Sequence, residues 1–131
     1  MFKKIMVPID LEHLNGLSKA LDCAADLARR HAASLCYVGV TMSGPTSVAH
    51  TPDEFAAKLK AFADSKGAQS RVYESHDPTA DLDEVLLRAA EDLGADLVVM
   101  ASHIPGALEH VFASNAGAVA SHAKVSVFVI R

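Results

Sequence analysis

Residues 4–10 read Lys4-Ile5-Met6-Val7-Pro8-Ile9-Asp10. The stretch Lys4 to Ile9 is short and largely apolar, with neither a helical period nor a polar face, which is the pattern of a strand buried on both sides of a parallel sheet. It is read as the central strand. Asp10 follows Pro8 at its end, where a carboxylate has no packing role. From spacing alone two readings stand side by side: Asp10 accepts hydrogen bonds from a ribose, or it caps the next turn.

A second run of the same kind, Asp96 to Met100 (DLVVM), lies far downstream. Between them the chain alternates. Leu14, Leu17, Leu21, Ala24 and Ala28 recur at spacings of three and four, so one apolar stripe defines a helix ending near His31. Ser34 to Thr41 (SLCYVGVT) is strand-like, with β-branched and aromatic residues. Met42 to Pro52 carries Gly44, Pro45 and Pro52 and marks a loop. From Asp53, the residues Phe55, Leu59, Phe62 and Ala63 form a second helix, closed by Lys66 and Gly67. Gln69 to Glu74 is a more polar strand that belongs at an edge. Pro78 and Asp81 open a third helix, with Leu82, Val85, Leu86, Ala89 and Leu93 inward and Gly94 as its stop.

After Met100 the sequence spends about a dozen residues, from Ala101 to Ala113, before the last helix, a longer connection than the few residues typical of such units. Ser114 or Asn115 is read as the cap of that helix, with Ala116, Val119, Ala120 and Ala123 as its inner face. Val125 to Ile130 closes the chain as a final strand. The order β-α-β-α-β-α-β-α-β predicts one α/β domain over residues 1–131, an open five-stranded parallel sheet with helices on both faces and right-handed crossovers.

The composition fits. The chain has 131 residues, half of them apolar and 5% aromatic, so its core is expected to consist mainly of Ala, Val, Leu and Ile. The formal charge is −4, and Lys and Arg form no cluster, which removes nucleic acid as a partner. The apolar run near the start is too short for a signal peptide or a membrane span, so the expected location is the cytoplasm, with no membrane partner. Cys23 and Cys36 have neither zinc nor redox-pair spacing and are read as reduced core residues. The histidines His13, His31, His50, His76, His103, His110 and His122 are dispersed, and no metal site is assigned to them.

In open sheets of this kind a ligand binds beyond the carboxyl ends of the strands, where the winding direction reverses. That crevice would be bordered by Asp10 and by the loop after Met100. The loop offers Ser102 and His103, and Ser114 and Asn115 stand at a helix start, where free N–H groups favour a phosphate.

Three segments carry a family resemblance: KIMVPID at 4–10, ADLVVMASH at 95–103 and SNAGAVASHAKVSVFVIR at 114–131. Together they resemble the universal stress protein (UspA) family over essentially the whole chain, and within it the short F-type branch. The resemblance implies a Rossmann-like sheet of the adenine nucleotide alpha hydrolase kind, ordered 3-2-1-4-5, and dimerisation through the last strand, Val125 to Ile130. In one subgroup it implies binding of ATP or another adenine nucleotide, with Mg2+ as its companion. The residues so implied are Pro8, Ile9, Asp10, Val40, Met100, Ala101, Ser102, His103, Pro105, Ala113, Ser114 and Asn115. Asp10 would hold the ribose, main-chain groups of Ile9 and Val40 would frame the adenine, and Ser102, His103, Ser114 and Asn115 would face the phosphates.

The subgroup's signature, Gly-x2-Gly-x9-Gly followed by Ser or Thr, is not satisfied. Counted without a gap, its glycine positions hold Ala101, Ile104 and Ser114. With one residue deleted from the loop, Ala113 takes the third position and Ser114 matches the hydroxyl residue, and this is the register adopted. Alanine replaces glycine freely only where φ is negative. The alternative reading is therefore a family member without nucleotide, working as a dimeric interaction module. The sequence has no Walker-type lysine, so no catalytic residue is assigned and slow ATP hydrolysis is the most it implies. A flavin role is disfavoured by the scarcity of aromatic residues.

Overall fold

The computed structural model describes residues 1–102 and 111–131. Strands β1 (Lys4–Pro8), β2 (Ser34–Thr41), β3 (Gln69–Glu74), β4 (Leu97–Ala101) and β5 (Ser126–Ile130) alternate with helices α1 (Ser18–His31), α2 (Pro52–Ser65), α3 (Pro78–Leu93) and α4 (Val111–His122). Among the described residues the strands form one five-stranded sheet in the order β3-β2-β1-β4-β5, and every neighbouring pair is parallel. The architecture and strand order are those expected from the sequence, with β3 at an edge.

The alternation of β1 divides the core. Ile5, Val7 and Ile9 face α1 and α2, where they join Leu21, Ala24, Leu59 and Ala63. Met6 faces the other way, joining Val38, Leu82, Leu86, Val98, Met100, Ala116 and Val119 under α3 and α4. Small residues on the inner stripes, such as Ala24, Ala63 and Ala89, are fully buried and let the helices lie close to the sheet.

Besides one-residue shifts at the ends of β1, β4 and β5, three details depart from the sequence reading. The first helix does not run unbroken from Leu14: a 3₁₀ segment, Leu11–Leu17, precedes α1, and His13 within it has non-helical φ and ψ of −128° and 45°. Asp10 caps that segment and sets its tight start. The last helix begins at Val111, so Ser114 and Asn115 are the fourth and fifth helical residues rather than its cap. Apolar residues continue upstream of Ser114, and a serine signals a cap only where they stop. Finally, Ala120 is exposed and Ala123 half-buried, so the buried stripe of α4 narrows to Ala116 and Val119.

The amino-terminal end of β1 is pinned by Asp96, whose carboxylate accepts the N–H groups of Lys3 at 2.8 Å and Lys4 at 3.1 Å. Burial pushes this carboxyl up, but these donors, the N–H of Asp96 itself and the Lys3 charge together hold it below its ordinary value. At the opposite end the sheet opens. Lys4 directs its N–H and carbonyl toward Asp96, on the β4 side, while the Ile9 N–H goes to the Val38 carbonyl at 2.8 Å, on the β2 side. By that alternation the amide of Pro8 faces β4, and proline has no N–H to give. The β1–β2 register accordingly runs on to Pro8 and Val38, whereas the β1–β4 register holds only Ile5 with Leu97 and Met6 with Val98. The central strands therefore unpair where the winding direction reverses.

Candidate functional site

Asp10 stands at that opening. One carboxylate oxygen accepts the Glu12 N–H at 3.0 Å, and the other pairs with His13 Nδ1 at 2.8 Å. The side chains of His13 and Asp10 are 29% and 20% exposed, so the pair is accessible but sheltered. The capping role weighed from the sequence is thus present. A carboxylate has about four lone-pair directions, however, and these contacts occupy two.

Beside Asp10 lies a cleft of about 160 Å³, walled by Ile9, Val40, Val48, Phe55 and Pro78 and edged with the polar groups of Asp10 and Thr46. Its outer wall is the β2–α2 loop. Thr46 Oγ1 accepts the N–H groups of Val48 and Ala49, both at 3.2 Å, and folds the loop back on itself. Thr51 then caps α2 by accepting the Glu54 N–H at 3.1 Å, while the Glu54 carboxylate accepts the His50 N–H at 3.0 Å. This reciprocal capping fixes the start of α2 and aims Phe55 at the sheet.

Main-chain geometry gives the cleft a recognition edge. The Val38 carbonyl faces β1, where Ile9 takes it, and the Thr41 carbonyl faces β3, where the Ser75 N–H takes it at 2.8 Å. Alternation therefore turns the amide and carbonyl of Val40 toward the β1 side, just past the end of β1. The Ile9 N–H is committed to Val38, so of the Ile9 main chain only the carbonyl remains for a ligand.

The other residues singled out from the sequence are distributed as follows. Pro8, Met100 and Ala101 are buried beneath the opening. Ala101 also borders a second hollow of about 190 Å³, together with Lys19, Ile130 and Arg131. Ser102 is tied to β5, its N–H and hydroxyl both donating to the Ile130 carbonyl, at 2.8 and 3.4 Å. His103 and Pro105 lie outside the described residues. Ala113 and Ser114 fall in the first turns of α4, and Asn115 follows, half-buried. The structure thus gathers Ile9, Asp10 and Val40 around one cleft.

Sequence reasoning missed His13, which it counted among dispersed histidines; the Asp-x2-His spacing was the available signal. Asp10, Glu12 and His13 place one ligand-type atom each within 4.8 Å of one another. That trio is a poor match for Mg2+, which favours oxygen ligands in a near-octahedral shell, and His13 already occupies one Asp10 oxygen. Burial pushes the Cys36 thiol up, away from the nucleophilic thiolate, in keeping with its reading as a core residue. No helix among the described residues is long and apolar enough to cross a membrane.

Comparison with known proteins extends these observations. Universal stress protein G of Shigella flexneri is 29% identical to the chain, with all of both sequences aligned. A crystal structure of a universal stress protein in complex with cAMP superposes with a TM-score of 0.68 at 18% identity, over 99% of this chain and 97% of that one. The universal stress protein of Archaeoglobus fulgidus in complex with dAMP gives 0.65 at 18% identity, over 98% of each chain. These structures share the fold. The model of the universal stress protein family matches residues 1–131, so the fold and the sequence along the entire length agree: the chain belongs to the universal stress protein family.

Proposed function

We propose that this chain is a cytoplasmic stress-response protein, a single domain that binds ATP or a related adenine nucleotide beside Asp10 and acts as a homodimer. The observation that carries the reading is the placement of a half-engaged carboxylate at the rim of a base-sized apolar cleft, at the point where the central strands part. The base would lie against Ile9 and Val40 and meet the main chain of Val40, and the ribose hydroxyls would donate to Asp10. Family members in complex with cAMP and dAMP support an adenine ligand. The cleft is smaller than pockets that enclose a whole drug-sized ligand. The phosphates would therefore extend out of the cleft, past the carboxyl end of β4, with Mg2+ held mainly by them.

Titration calorimetry with ATP tests this directly. A saturable heat with one site per chain is expected, and nucleotide should also be released when the purified protein is denatured. Absence of both favours the second reading, an interaction module without nucleotide. That alternative draws on the missing loop glycines and on the two contacts Asp10 already makes.

The dimer proposal rests on β5, an edge strand on which Phe128 and Val129 are 40% and 38% exposed. A bare apolar edge invites pairing, and a second copy would cover it. Sedimentation at micromolar concentration should give the mass of two chains, and Phe128→Lys should reduce it to one. A wild-type mass of one chain contradicts the proposal.

A further inference from the structure

We infer that His13 is a positioning residue for nucleotide, acting through Asp10. The inference rests on the nucleotide reading of the cleft. A carboxylate on a flexible side chain binds a ribose well only when its rotamer is fixed beforehand, because ordering it during binding costs entropy. Here two donors do the fixing. The Glu12 N–H holds one oxygen at 3.0 Å and His13 Nδ1 holds the other at 2.8 Å, and both come from the segment that Asp10 itself caps. Each oxygen keeps a lone pair, so the arrangement leaves two acceptor directions for two ribose hydroxyls.

The position of His13 is not an accident of a regular turn. Its φ of −128° and ψ of 45° depart from the helical values around it. The tautomer follows from the contact: the carboxylate is an acceptor, so Nδ1 carries the proton and Nε2 is left as the acceptor. Charged or neutral, the imidazole donates to Asp10. The groups facing His13 in this cluster are the carboxylates of Asp10 and Glu12. A histidine that orients a ligand-binding carboxylate is the reverse of the more usual case, in which a carboxylate orients a histidine, but the physics of an outer hydrogen bond fixing an inner group is the same.

The test compares ATP with 2′,3′-dideoxy-ATP by calorimetry on the wild type, His13→Ala and His13→Asn. Alanine removes the donor, whereas the amide nitrogen of asparagine lies as many bonds from the backbone as Nδ1 and can replace it. His13→Ala should weaken ATP about tenfold, the lower end of what losing an outer orienting hydrogen bond costs. His13→Asn should recover most of that loss. The dideoxy analogue has no hydroxyls for Asp10, so its affinity should be the same for all three proteins. An equal loss for both nucleotides, or no loss for either, overturns the positioning role and leaves the nucleotide reading standing. A wild type that binds neither nucleotide overturns both.

Discussion

Gly39→Val should lower the unfolding free energy by about 3 kcal/mol, the upper end for overpacking a filled core, and depress the melting temperature by about 10 °C. Gly39 sits in the middle of β2, with the amino-terminal half of α2 pressed against it. A Cβ there would lie 2.6 Å from Phe55 Cε1 and 3.1 Å from Leu59 Cδ2. Neither neighbour has room to yield, since Phe55 is 5% exposed and Leu59 is fully buried. The added atoms must therefore lift α2 from the sheet or turn the Phe55 ring. Either movement reaches the cleft, which Phe55 walls, so nucleotide affinity should fall with stability. Thermal unfolding followed by circular dichroism checks the first effect. A melting temperature within a degree or two of wild type would mean that the helix packs less tightly on β2 than described.

Asp10→Ala should weaken ATP by about a hundredfold or more, because two hydrogen bonds from ribose hydroxyls to a charged acceptor are lost and each such bond contributes about 1.5–3 kcal/mol. The same substitution removes the cap of the 3₁₀ segment, at a cost of about 1 kcal/mol in stability. The two effects separate experimentally: unfolding measures the cap, and calorimetry at a temperature where the variant is folded measures the ligand contact. Asp10→Asn keeps the shape and one acceptor oxygen and should fall between. An affinity unchanged in Asp10→Ala would reduce Asp10 to a turn residue.

The sheet was legible because its central strands are buried on both faces. Runs such as Ile5 to Ile9 and Leu97 to Met100 carry no polar face that could be confused with a surface helix. The bounds of β2 and β3 coincide with those read from the sequence. Legibility failed where local signals compete. A serine and an asparagine in the stretch Phe112 to Ala116 look like a helix start, yet the helix begins upstream at Val111. Leu14 and Leu17 continue the apolar stripe of α1 upstream and so hide the 3₁₀ segment, whose break at His13 lies in the backbone.

The site was half legible for a related reason. Asp10 stands out because a carboxylate directly after an apolar strand has nothing to pack against. His13 does not stand out, because its role depends on a backbone conformation that spacing does not encode. The effect of Pro8 was equally hidden: only the direction of its neighbours' hydrogen bonds shows that its missing N–H faces β4. The walls at Val48 and Phe55 come from a loop and a helix whose approach to β1 depends on the fold as a whole.

A crystal structure of the protein grown with saturating ATP tests the central claim most directly. The account predicts the adenine ring between Ile9 and Val40, in contact with the Val40 main chain, and the ribose hydroxyls within hydrogen-bond distance of an Asp10 carboxylate still held by His13. Nucleotide bound elsewhere, or the cleft with no nucleotide in it, would contradict it.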